Sequence, residues 1–295
     1  MVSVRAQRNH NLSRSESPHL FDKILPSRKL TIMQVGISQL IAGDMPLTDF
    51  FQQSAAAGYE VVELCMRRQG DLTPASQPDQ LAQIVADAQA KGLTLVSMTH
   101  SHCTGNLLDS GAAQQTSIRE TEIGLRAAAA MGIGCTLHTL GSLRPDLYYD
   151  DAYRNAVQSL QQIAETAEQL KVTLAVEFVW NGFLFSPLEM KHFLDEVGSP
   201  SIGFYFDPGN MAVFQYPHHW VRIVGKHIKM VHLKDWRGRA LNGGWPALLA
   251  GEVDYVAMNR ELRAIGYDGP MISEVPPDLA SFAETATAIR KIIQM

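Results

Sequence analysis

The sequence predicts the α/β class, as a single (β/α)8 TIM barrel preceded by a disordered N-terminal tail. Three observations point there. Eight short β-rich apolar runs occur along the chain, each is followed by a stretch with helical spacing, and no phosphate-binding glycine motif follows an early strand. An open doubly wound sheet, the nearest rival, usually carries GxGxxG or GxxxxGK[ST], and neither is present. The length of 295 residues suits one barrel of about 250 residues with a tail.

The apolar runs cover residues 30–37, 61–66, 93–100, 135–140, 172–180, 202–207, 228–235 and 270–275. Helical punctuation lies between them. Ser186-Pro187-Leu188-Glu189 offers a capping serine, a proline at the first helical position and a glutamate three residues after the cap. Gly58, Gly92, Gly132, Gly198 and Gly266 each follow a helical stretch, where a left-handed residue ends a helix. Residues 1–29 are rich in Ser and Arg, lack the apolar stretch of a secretory signal and read as a disordered or processed leader. Residues 30–295 then form the barrel domain.

Composition narrows the function. Hydrophobic residues make up 46% of the chain and charged residues 19%, as in a folded globular protein. No window reaches the 18 or so uninterrupted apolar residues of a membrane span. A soluble, cytoplasmic protein with no membrane partner is expected. The net charge is −5, but residues 1–29 hold six basic and two acidic side chains, leaving 19 basic against 28 acidic in the remainder, a net of −9. An acidic body argues against a nucleic-acid partner. Cys65, Cys103 and Cys135 are scattered and odd in number, which suits neither a disulfide framework nor a zinc ribbon.

In a barrel of this kind, chemistry belongs at the C-terminal ends of the strands. The polar residues there are Glu63 in the second run, His100 at the end of the third and His138 in the fourth. The last four runs deliver Glu177, Asp207, His232 and Glu274, one each, with Lys234 and Asp235 just after His232. Singly, each acid could be a helix cap or an ion-pair partner, and His232 a satisfied core histidine. On four consecutive strands at one end they would repel one another and call for a cation. Three carboxylates and one imidazole form a hard donor set, which favours Mn²⁺, Mg²⁺ or Co²⁺, with Zn²⁺ also accepted.

The chain resembles the xylose-isomerase-like barrel superfamily of sugar and sugar-phosphate isomerases and epimerases. The resemblance covers roughly residues 30–293. It rests on Ala57-Gly58-Tyr59-Glu60-Val61-Val62-Glu63-Leu64, Val176-Glu177, Phe206-Asp207-Pro208-Gly209-Asn210, Val231-His232-Leu233-Lys234-Asp235, Gly251-Glu252-Val253-Asp254-Tyr255 and Ile272-Ser273-Glu274. It implies that Glu177, Asp207, His232 and Glu274 bind one divalent cation, and that Glu177 and Glu274 are catalytic, moving a proton on the substrate. The chain departs from the ketose epimerases at Asn210, where they carry His, and at Phe183, where they carry a substrate-binding Glu. Their Arg after the seventh strand has no certain match, although Arg237 and Arg239 are close. These departures leave the sugar open, free ketohexoses above all.

The chemistry that follows is proton removal next to a carbonyl, with the enediolate charge stabilised by a cation and the proton moved by carboxylates. His100 and His138 are expected to hydrogen-bond substrate oxygens, although rotamer-locking partners inside the barrel would look the same in sequence. Asn210 is placed with the substrate-binding residues. Lys234 is expected to pair with an acidic or phosphorylated substrate, and Trp180 with Phe183 to wall the sugar's carbon face. The expected partner is a small-molecule sugar, and homo-oligomers are compatible with the helical exterior. Three alternatives stay open: a dehydratase acting on a keto-sugar or keto-inositol, an endonuclease IV-like nuclease, and a non-catalytic sugar-binding barrel. The nuclease needs further histidines, at the position of Asn210 and after the seventh strand, and the chain lacks them.

Overall fold

In a computed structural model, which describes residues 33–295, eight parallel strands close into a barrel. They are β1 (Val35–Ser38), β2 (Val61–Cys65), β3 (Thr94–Thr99), β4 (Cys135–His138), β5 (Thr173–Glu177), β6 (Ile202–Phe206), β7 (Ile228–Leu233) and, after a two-stranded excursion, β10 (Met271–Ser273). Neighbours in sequence are neighbours in space, and β10 closes the ring against β1. The eight expected runs all form barrel strands. The leader read over residues 1–29 lies outside the described residues. No described helix is long and apolar enough to cross a membrane.

The helices surround the ring: α1 (Leu47–Ala57), α2 (Pro78–Ala90), α3 (Gly111–Ala130), α4 (Tyr149–Leu170), α5 (Pro187–Val197), α6 (Pro208–Ala212), α7 (Pro217–Val224), α8 (Tyr255–Ala264) and α9 (Phe282–Gln294). Their ends follow the sequence. The five glycines named above all have positive φ, and Gly58, at +82°, closes α1 with its N–H on the carbonyls of Ser54 and Ala55. Ser186 caps α5 by accepting from the Glu189 N–H, with Pro187 at the first helical position. The Glu189 carboxylate does not return to the cap; it accepts from the Tyr149 hydroxyl on α4 instead.

Two apolar layers hold the barrel. Between strands and helices lie Phe50, Leu64, Ile163, Phe204, Trp220 and Ile289, all fully buried. Inside the ring, Cys135, Leu137, Ala175, Tyr205, Met230 and Ile272 fill the lower lumen. Each buried Leu, Ile or Phe stabilises by about 1.5–3 kcal/mol. Gly36 pairs with Ile272 and Val61, and a Cβ there would meet Ile272 at 2.8 Å and Val61 at 2.9 Å, so a side chain would not fit. The interior is thus plugged from below by apolar side chains, and its polar groups gather above them.

Several strands are shorter than their apolar runs, and the missing residues are those that build the mouth. The seventh run continues through Asp235, but β7 stops at Leu233. Buried Asp235 then accepts the N–H groups of Trp236, Gly251 and Val253, replacing a strand ladder with a loop scaffold. That loop carries an antiparallel hairpin the sequence did not announce, β8 (Arg237–Arg239) and β9 (Asn242–Gly244). Both strands are glycine-containing and polar, so they lack the β-rich composition by which the others were found.

Candidate metal and substrate site

Four adjacent strands bring the expected acidic cluster together. Glu177 is the last residue of β5, Asp207 follows β6, His232 lies within β7 and Glu274 follows β10. One donor atom from each lies within 4.8 Å of the others, and all four side chains are buried. Asp207 also caps α6, its Oδ1 accepting from Gly209 N at 2.8 Å and Asn210 N at 3.3 Å. The cap fixes the carboxylate and leaves Oδ2 pointing elsewhere.

The histidine is oriented from below. His232 Nε2 donates to Glu63 Oε1 at 2.9 Å, which puts its proton on Nε2 and its lone pair on Nδ1 in the neutral ring. Glu63 is itself saturated, accepting from Ser38 at 2.7 Å, Ser97 at 2.8 Å and Tyr205 at 2.5 Å. Burial pushes the Glu63 carboxyl up, but the His232 charge and these hydrogen bonds carry it below the usual carboxylate range. His232 Nδ1 faces Glu177 Oε1 and Glu274 Oε1 at 3.5 Å each and has no hydrogen bond. A buried carboxylate behind a histidine whose other nitrogen faces acids is the arrangement that orients metal-binding imidazoles.

Lys234 sits among the same acids. Its ammonium is 2.8 Å from Asp207 Oδ2 and donates to Glu274 Oε2. Burial disfavours the charge, yet Asp207, Glu274 and Glu177 hold the amine well above its ordinary pKa. Where the sequence pointed to an acidic substrate, the lysine meets protein carboxylates. Even so, His232 Nδ1 is a buried polar atom without a hydrogen-bond partner, while Asp207 Oδ2 has the Lys234 ammonium beside it. An unpartnered imidazole nitrogen facing carboxylates in a hard donor set fits a divalent cation held by Glu177, Asp207, His232 and Glu274.

The two glutamates differ in environment. Burial pushes Glu177 up to about 7 against the opposing pull of His232 and Lys234. Burial also raises Glu274, but His232 and Lys234 overcome it and leave the group below its usual range. Asn210 donates its side-chain amide to Glu177 Oε1 and to Phe178 O, both at 3.0 Å, and so positions that carboxyl. The residue also lines the outer cavity described below.

Two cavities meet at the acids. An inner one of about 350 Å³ is lined by His100, His138, Glu177, Lys234 and Glu274. An outer one of about 560 Å³ shares Lys234 and Glu274 and is walled by Trp180 and Trp245. His138 Nδ1 accepts from Leu140 N at 2.8 Å, leaving the proton on Nε2. That bond braces Leu140 at a φ of +67°, a left-handed conformation costing a non-glycine about 1–2 kcal/mol. Burial lowers His138 to about 4 and carries His100 well below its ordinary value. Both rings are neutral near pH 7.

Phe183 corrects an expectation. It is buried between α4 and α5 against Tyr149, Tyr153 and Phe193, and does not line either cavity. The aromatic partner of Trp180 is Trp245, stacked on it at 4.9 Å, which the sequence reading missed. It also gave no role to Glu63 or Tyr205. A buried acid amid Val61, Val62 and Leu64 was the available signal for Glu63. A second group of metal-capable donors, His100, His102 and Cys103, likewise converges within 4.8 Å.

The sequence matches the family described as xylose isomerase-like TIM barrel over residues 51–292, and the chain belongs to that family. Similar solved structures include a D-tagatose 3-epimerase-like protein, 17% identical with a TM-score of 0.76 over 89% of this chain and 97% of that one. Another is D-psicose 3-epimerase with D-tagatose from Clostridium cellulolyticum H10, 16% identical with a TM-score of 0.73 over 89% and 92%. A third is 3-keto-D-glucoside 4-epimerase from E. coli, 14% identical with a TM-score of 0.72 over 89% and 100%. At these identities the likeness is one of fold. Among curated proteins, none matches the sequence.

Proposed function

We propose that this chain is a divalent-cation-dependent isomerase or epimerase of a sugar or sugar derivative, moving a proton next to a carbonyl. One observation carries the reading: the donors of Glu177, Asp207, His232 and Glu274 converge within 4.8 Å beside a cavity lined by two neutral histidines. The solved neighbours named above, epimerases or an epimerase-like protein, support the same reaction class. When bound, the cation would act as a Lewis acid on the carbonyl and neighbouring oxygens.

The chain's own residues do the rest. Glu177 and Glu274 reach the cavity from strands three steps apart, so they address a substrate from different sides. One removes the acidic carbon-bound proton, and a carboxyl of the pair returns it to the same or the adjacent carbon. Asn210 holds Glu177 Oε1, keeping one oxygen fixed while the other is available. The His138 Nε2–H donates to a substrate oxygen, and neutral His100 beside it, 5.7 Å between ring centres, adds no charge. Glu63, through His232, keeps the imidazole lone pair turned toward the acids.

The test is solvent-proton exchange. The Mn²⁺-loaded protein is incubated in D₂O with a pool of ketoses, aldoses, their phosphates, keto-glycosides and keto-inositols. Mass spectrometry should find deuterium gained by one member or by its isomer. Loss of water from a member would assign the dehydratase branch. Uptake of a ligand with neither outcome would mean a binding barrel and would sink the proposal.

A further inference from the structure

The space beside the carboxylates is larger than one sugar ring requires, and its two lobes differ in chemistry. The inner lobe of about 350 Å³ is polar, edged by His100, His138, Glu177 and Glu274. A hexose of twelve heavy atoms occupies about 200 Å³ at the packing density of protein interiors, so it fits there alone. The outer lobe adds about 560 Å³, walled by Trp180, Trp245, Pro246, Val275, Pro276 and Leu279. A monosaccharide seated at the acids would leave these apolar faces wet.

The aromatic wall is braced by stacking and by indole hydrogen bonds, unlike a pair of loose surface side chains. Trp180 and Trp245 stack with planes 22° apart, and buried Trp236 meets Trp245 edge-on at 4.8 Å. Trp180 Nε1 donates to Asn210 O at 3.1 Å, and Trp236 Nε1 to Gly238 O at 3.1 Å. Gly209 makes room, since a Cβ there would lie 3.0 Å from the Trp245 ring and 2.5 Å from Lys234 Cβ. Asp235 anchors the loop that carries Trp236 and Trp245. Trp180 nevertheless remains 47% exposed. A rigid, exposed aromatic face opening onto a reaction site is a recognition surface for a flat apolar group.

We propose that the outer lobe is an aglycone site and that the substrate is a keto-glycoside, its sugar carrying the reacting carbonyl and its aglycone a neutral aromatic or similarly flat apolar group lying against Trp180 and Trp245. The inference rests on reading the inner lobe as the seat of the reacting sugar. Neutrality follows from the lobe's charges. Asp235 and Asp278 line it with Glu274, and the Lys234 ammonium is already engaged by Asp207 and Glu274. An anionic aglycone would meet acids, with no free cation among the described lining residues.

The test uses parent glycosides, which lack the reacting carbonyl and so report binding alone: phenyl against methyl β-D-glucopyranoside, and phenyl against methyl β-D-galactopyranoside, on the full chain loaded with Mg²⁺. Calorimetry should find a phenyl member binding about tenfold or more tighter than its methyl partner. In saturation-transfer NMR its phenyl protons should receive the strongest transfer. Trp245→Ala should shrink the phenyl-to-methyl ratio toward one, and Trp245→Phe should keep part of it, both with thermal midpoints near wild type. A panel in which no phenyl glycoside outbinds its methyl partner, absence of all binding included, overturns the aglycone site. A ratio unchanged in Trp245→Ala overturns it too. Exchange chemistry is not part of this readout. Phenyl preference without any deuterium exchange would sink the proposed reaction and spare the lobe, and exchange without phenyl preference would do the reverse.

Discussion

Two clusters of metal-capable donors face each other across the barrel mouth, and they are opposites. Glu177, Asp207, His232 and Glu274 form one; His100, His102 and Cys103 form the other; each converges within 4.8 Å. In the first, carboxylates surround a histidine and hold its pKa well above the ordinary value despite burial. In the second, burial lowers His100 and His102 and pushes the Cys103 thiol up to about 12. The His102 Nε2 is already bonded to Glu120 O at 2.8 Å. Donor proximity is common to both. Carboxylates are donors in the first alone; the acid beside the second, Glu120, spends its oxygens on Thr104 and Gly105, and carboxylate donors are what draw a hard cation. The neutral side instead offers uncharged donors to a polar ligand. One residue type, histidine, thus takes two roles according to its neighbours.

The sharpest way to break this contrast lies in the acids. Glu177→Gln and Glu274→Gln keep shape and one oxygen but cannot accept a proton, so solvent-proton exchange on the true substrate should fall about 10²–10⁴-fold. Exchange at wild-type rates in both variants would leave the glutamates as ligands only. Thermal midpoints near wild type would show that the loss is chemical.

On the neutral side the expected effect is on stability. His138 ionises near 4 when folded, against about 6.5 in an unfolded chain. Between those values the unfolded chain binds more protons, so stability falls as pH drops from 6.5 toward 4. This single group contributes a loss of about 2–3 kcal/mol over that window. Denaturant melts at pH 7 and pH 4.5 should differ less in His138→Asn than in wild type; an equal difference would mean that the ring is not buried as a neutral group.

Orientation of His232 comes next. Glu63→Gln removes the carboxylate behind the imidazole, and loss of such a partner typically lowers metal affinity about 10–100-fold. A Mn²⁺ affinity unchanged in that variant would separate Glu63 from the site. The smallest effect is expected at Cys103→Ser, which should leave Mn²⁺ affinity and stoichiometry within experimental error. A lost ion would make the neutral cluster a metal site as well.

Much of this mouth was legible in the chain. Glu177, Asp207, His232 and Glu274 each end or interrupt an apolar run, and successive parallel strands of a barrel must be neighbours, so sequence order placed them side by side. Glu63 interrupts a run as well, but its meaning depends on Ser38, Ser97, Tyr205 and His232, which come from four other strands up to 169 residues away. No local pattern encodes such a network. Trp245 follows Asn242-Gly243-Gly244, a polar hairpin edge with neither helical nor strand periodicity, and only the folded loop sets it against Trp180. Phe183 misled because an aromatic residue near a strand end can face the mouth or the helices. Its contacts with Tyr149, Tyr153 and Phe193 turn it outward, into the layer between helices.

Calorimetric titration of Mn²⁺ into the metal-stripped full chain, beside Asp207→Asn and His232→Ala, tests the central claim most directly. The cluster of three carboxylates and one imidazole predicts one ion per wild-type chain and severely weakened uptake in both variants. An affinity unchanged in both, or no uptake by the wild-type chain, would contradict it.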